Sequence, residues 1–85
     1  MRCYFVFIHG KLRWNVAAPN DPDCYQPSGF YCHRYVLASD EYGATRKAFE
    51  RVRENLDRRG RWLSSGNAAL DLEADEVSVA PLHTA

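Results

Sequence analysis

Arg2-Cys3-Tyr4-Phe5-Val6-Phe7-Ile8-His9 decides how this chain folds. β-Branched and aromatic residues dominate it, which is strand composition. Alternation sends Cys3, Phe5 and Phe7 to one face and Tyr4, Val6 and Ile8 to the other. A strand apolar on both faces is usually covered on both. Gly10 reads as a bulge, with Leu12 and Trp14 carrying the strand past it.

Pro19, Pro22 and Pro27, with Asn20, Asp21, Asp23 and Ser28, make residues 17–28 a loop. Gly29 then opens a second strand over 30–38. Phe30, Cys32, Arg34, Val36 and Ala38 share one face, and Tyr31, His33, Tyr35 and Leu37 the other. Ser39 and Asp40 suit an N-cap and Glu41 suits a first helical turn. The helix expected over about 40–59 carries one apolar stripe: Ala44, Ala48, Phe49, Val52 and Leu56. Arg58 and Arg59 suit its last turn, and Gly60 the residue that ends it. Residues 61–69 connect onward, with Trp62 and Leu63 folding back onto the core. A third strand alternates Leu70, Leu72 and Ala74 with Asp71, Glu73 and Asp75. Val77 and Val79 are out of phase with it, so a bulge or tight turn belongs near Asp75-Glu76. Pro81 ends regular structure and residues 82–85 fray.

The 85 residues therefore read as one α+β domain, an antiparallel-rich sheet with one helix packed on one face. A chain of this size buries roughly 60–65% of its extended surface, enough for one modest core and no deep cleft. Apolar residues are 46% of the chain and charged residues 26%, which is globular composition. The longest apolar run, residues 3–8, is too short to span a membrane and lacks the features of a signal-peptide core. Cys3, Cys24 and Cys32 are an odd, widely spaced set, so a reducing cytoplasm is expected rather than a disulfide framework.

One helix covers one face. Small Val36 and Ala38 leave room for it, which assigns Tyr31, His33, Tyr35 and Leu37 to the uncovered side as the candidate interface. A second copy of the chain is the simplest cover, so a homodimer is expected; the flat row with its hydroxyl and imidazole groups also suits another protein or a small molecule, and burial by a partner is the simpler reading. Gly29-Phe30-Tyr31-Cys32-His33-Arg34, running into an acidic helix start, resembles a Gly-Phe-Tyr-x-x-Arg strand before the single helix of small uncharacterised bacterial proteins. That resemblance implies the same α+β shape, no known activity and no catalytic residue.

Three other chemistries have candidate residues in the sequence. Cys32 and His33 are candidate ligands for a metal or a small molecule. As strand neighbours they point to opposite faces, and no Cys or His pair here has structural-zinc spacing, so no metal and no cofactor are expected. Cys32 is the best nucleophile beside His33 and Arg34, yet adjacency in a strand separates thiol from base, and Ser64-Ser65-Gly66 lacks an elbow motif. No enzyme is expected. Arg46, Lys47, Arg51, Arg53 and Arg58 are candidate polyanion contacts, and residues 46–61 carry an excess of four positive charges. Eleven basic residues balance eleven acidic ones over the chain, and Glu50–Arg53 and Glu54–Arg58 have ion-pair spacing, so nucleic acid is disfavoured as a partner. The expectation is a non-enzymatic interaction or structural module that self-associates through its sheet.

Overall fold

Four elements follow one another: β1 (Arg2–Trp14), β2 (Gly29–Ala38), α1 (Glu41–Gly60) and β3 (Ala68–Val79). The computed structural model describes residues 1–15 and 26–80, except for the side chains of Arg59 and Gly60. Most of the loop expected over 17–28, including Cys24, and the tail expected over 82–85 lie outside the described residues. The class is α+β: a three-stranded antiparallel sheet in the order β2-β1-β3, with α1 on one face.

The strand apolar on both faces is the central one. Tyr4, Val6 and Ile8 of β1 lie under the helix with Val36 and Ala38 of β2 and Ala44, Ala48 and Val52 of α1. Val6, Ile8, Ala44 and Ala48 are wholly excluded from solvent. Small residues on both sides of the α1–β2 contact allow close approach, which is why the helix chose the Val36 face. A second cluster of Leu12, Ala68 and Leu70 extends the core, with Leu56, Trp62 and Leu63 packed against it. Trp62 and Leu63 do fold back, and the indole of Trp14 meets that of Trp62 edge-on at 5.0 Å.

Two backbone details differ from expectation. Gly10 is not a bulge: it pairs in register with Phe30 on one side and Leu72 on the other. It is glycine because the Phe30 ring lies across it, where any Cβ would collide. The register shift falls instead opposite Phe7 and Ile8, where Glu76 and Ala74 pair and Asp75 is the extra residue. That bulge produces the phase slip between Ala74 and Val77, and β3 begins at Ala68, two residues before the alternation shows it.

The helix start is as the sequence suggests. The Asp40 carboxylate accepts from the Gly43 amide at 2.7 Å, and Glu41 sits in the first turn. The end is not. Gly60 stays helical and Arg61 takes the left-handed conformation, φ 54°, its amide donating to the Asp57 carbonyl at 2.7 Å. A non-glycine residue there needs other contacts to hold it. Asp57 supplies them, its Oδ1 accepting from the Leu63 amide at 3.1 Å, the Ser64 amide at 3.0 Å and the Ser64 hydroxyl at 3.1 Å. These bonds, the Ser64 amide first, hold the Asp57 carboxyl below its ordinary range.

A carboxyl whose pKa is depressed by folding stabilises the fold above its unfolded value and loses that contribution as pH falls through the folded one. Asp57→Asn should therefore lower stability near neutrality and flatten its decline in acid, as measured by urea unfolding from pH 7 to pH 3. An unchanged pH profile would remove Asp57 from this role. Val52, 3% exposed, and half-buried Leu56 test the buried stripe. Either residue changed to Asp places a charge in the core and should leave the domain unfolded by circular dichroism, with Val52→Asp the more severe.

Candidate interaction face

The sheet face away from α1 has no cover among the described residues. The register lays three-residue rungs across it: Tyr35–Phe5–Ser78, then His33–Phe7–Glu76, then Tyr31–His9–Glu73. All four residues of the sequence-derived interface lie here and are exposed, Tyr31 at 63%, Tyr35 at 56% and Leu37 at 50%. β1 contributes the half-buried rings of Phe5, Phe7 and His9. Rings from the two strands lean on each other: Tyr31 stacks on His9 at 4.4 Å and on Phe7 at 5.8 Å, and Phe5 touches Tyr35 at 5.4 Å and His33 at 5.7 Å. Cross-strand aromatic pairs of this kind hold the ladder in place and contribute about 0.2–1 kcal/mol each.

The face has two unlike margins. On the β2 side stand phenol and imidazole groups, all able to donate a hydrogen bond. On the β3 side stand Asp71, Glu73 and Glu76, all exposed. Arg13 pairs with Asp71 at 3.5 Å, whereas Glu73 and Glu76 have no ion pair among the described residues. Sequence reasoning found the β2 row by alternation alone. Alternation also put Asp71 and Glu73 together on one side of β3; that Glu76 rather than Asp75 joins them follows from the bulge, and that they flank the aromatic row follows from the β1–β3 register.

Both sheet edges are blunted. Three outward carbonyls in the C-terminal half of β2 receive a cation: Lys47 Nζ donates to Leu37 O at 2.7 Å, Arg51 Nη1 to Tyr35 O at 3.2 Å, and Arg34 Nη1 to His33 O at 2.7 Å. Lys47 and Arg51 are four apart on α1, one turn, which matches two residues along the strand. The β3 edge carries a charge at Asp71, Glu73, Asp75 and Glu76 and is bent by its bulge. Charges and bulges are the usual means of preventing edge-to-edge pairing.

This also relocates the candidate polyanion contacts. Lys47 and Arg51 bond the strand edge, and Arg46, Arg53 and Arg58 are exposed. The expected Glu50–Arg53 and Glu54–Arg58 ion pairs do not form, since the long side chains at these exposed positions stay apart. On the open face the exposed cations Lys11 and Arg13 of β1 lie beyond His9, at one end of the aromatic row, and Arg13 pairs with Asp71. Tyr4 and Val6 are buried under α1, while Phe5 and Phe7 lie on the far side of the sheet beside carboxylates that repel phosphate.

Cys32 and His33 are separated by the sheet. His33 joins the open face, and Cys32 lines a cleft of about 310 Å³ beside α1 with Phe30, Arg34, Val52, Leu56 and Trp62. Burial raises the Cys32 thiol above its ordinary value, with Arg34 opposing, so the thiolate is disfavoured. Among the described residues no three His, Cys, Asp or Glu side chains are grouped to hold a metal ion, and no helix is long and apolar enough to cross a membrane. No family model, curated protein or solved structure matches the chain.

The capped β2 edge can be tested by removing its cations. Lys47→Met with Arg51→Met should cost no more than about 1 kcal/mol per bond in urea unfolding. Light scattering should show growth of large species with concentration, absent from the wild type. A double variant free of such growth would mean that the cations do not guard this edge.

Proposed function

We propose that this protein is a non-enzymatic interaction module that self-associates through the open face of its sheet. The observation that carries the reading is the uncovered aromatic row of Phe5, Phe7, His9, Tyr31 and Tyr35, on a sheet whose two edges are both blunted. Burying a large apolar side chain is worth roughly 1.5–3 kcal/mol, and a domain of this size is stable by only about 5–15 kcal/mol. Leaving such a row wet forfeits a substantial fraction of that margin, and covering it recovers the fraction. The face is about 30 by 15 Å from strand spacings, so two copies bury on the order of 1,000 Å² together, the lower limit for a specific interface. The resulting dimer is modest in affinity and responsive to concentration.

Sedimentation at tens of micromolar should report about 20 kDa, twice the 9.8 kDa of one chain. Dilution should shift it toward the monomer. Tyr35→Glu puts a charge on an exposed ring position and should give monomer with the helix signal unchanged. A wild-type chain that stays monomeric at the highest attainable concentration would overturn the reading.

A further inference from the structure

We infer that the cleft between β2 and the C-terminal half of α1 is a binding site for a small apolar carboxylate, one anionic group on an aliphatic or aromatic body. It lies on the helix side of the sheet, so it is separate from the open face and does not depend on self-association.

The cleft opens where the small residues of the α1–β2 contact give out. Toward the start of α1, Ala44 and Ala48 pack with Val36 and Ala38. Toward its end the walls are Val52 and Leu56 of the helix and Phe30 and Cys32 of the strand, with Trp62 beside them. The hollow is about 310 Å³, at the lower limit of small-ligand sites and too small for a folded partner. Its rim at Pro27 and Gly29 is held in place: the Trp14 indole donates to the Pro27 carbonyl at 2.8 Å, and the Leu12 amide donates to the Ser28 carbonyl at 2.9 Å.

The polar groups choose the ligand. Arg34 is the one charged residue among those described along the cleft, and it is half-buried. Its Nη1 donates to His33 O at 2.7 Å, but among the described residues no carboxylate pairs with it and its remaining N–H groups have no partner. A guanidinium presents five donors in one plane, so this one has a fork to spare. Across the cleft the Asn55 side chain has no hydrogen bond among the described residues either. The acids of this stretch of helix, Glu54 and Asp57, line a different hollow with Arg53, Leu63 and Ser64. The field of Arg34 also reaches the strand wall, where it opposes the upward shift of the Cys32 thiol.

Each other class of small ligand leaves something uncompensated. A cation meets an unpaired guanidinium. A neutral molecule covers the walls and leaves Arg34 without a counter-ion. A dianion sets its second charge against Phe30, Val52 and Leu56, where nothing balances it. A carboxylate takes the free fork of Arg34 as a bidentate pair, the Asn55 amide supplies a further donor, and the apolar body covers the rings of Phe30 and Trp62.

The test is a nuclear magnetic resonance titration of the full ¹⁵N-labelled chain with 4-phenylbutyrate and, separately, with its neutral isostere 4-phenylbutyramide. The acid should shift the backbone amides of Phe30, Cys32, Val52, Leu56 and Trp62 saturably at millimolar concentration, and the neutral compound should bind roughly tenfold more weakly or worse. Arg34→Met keeps the apolar stem and should reduce affinity for the acid by a similar factor while leaving that for the neutral compound unchanged. Equal binding of the two compounds by the wild type overturns the inference, and decides the matter even where Arg34→Met fails to fold. A folded Arg34→Met that binds the acid as the wild type does overturns it too. Shifts confined to Phe5, Phe7 and Tyr31 of the open face, or no shifts at all, overturn the site. Shifts of the cleft amides with protein concentration alone would seat a second copy there and overturn it as well. None of these outcomes bears on the self-association proposed above, which sedimentation tests separately.

Discussion

A central strand with two apolar faces sets the terms for the rest of this molecule. β1 is hydrogen-bonded along both edges, by β2 and by β3, so only its faces remain to be covered. The single helix covers one of them, through a contact built from small residues on both partners: Ala44 and Ala48 against Val36 and Ala38. Among the described residues, the rings on the other face lean on each other and nothing packs over them. The open face is thus a consequence of how the chain spends its one helix.

The electrostatics follow from the same asymmetry. A neutral chain could have scattered its charges evenly. Instead two α1 cations and Arg34 bond three outward carbonyls of β2, those of His33, Tyr35 and Leu37, and the acids of β3 line the opposite margin. What looks like a basic patch in the helix sequence is in part a device for closing a sheet edge. Lys47 and Arg51 end at the β2 edge, beside Leu37 and Tyr35 of the open face.

Most of the fold was legible because its signals are local. Alternation in residues 30–38 separated Tyr31, His33 and Tyr35 from Val36 and Ala38 without any knowledge of the sheet, and the Asp40 cap and the α1 stripe located the helix. The phase slip between Ala74 and Val77 implied the Asp75 bulge. What escaped depends on contacts distant in sequence. The role of Gly10 is set by the ring of Phe30, twenty residues on, and the helix end at Arg61 by the reach of Asp57 to Ser64. The use of Lys47 and Arg51 is set by carbonyls on another strand, which no local pattern marks. The acidic margin needed the β1–β3 register, and register is invisible until two strands are laid side by side.

The strand order has a further consequence, for how the molecule is made. Of the three described strands, β1 is made before the other two yet lies in the middle of the sheet, while its partner β3 follows them both. Pairing of Trp14 with Ala68 spans more than fifty residues, so it is a contact of high sequence separation and slow to form. Until residues 68–79 emerge, one edge of an apolar strand stands open to any other chain. Nascent chains are therefore most vulnerable to mispairing just before synthesis of β3, and the domain can close its sheet only once that strand is free.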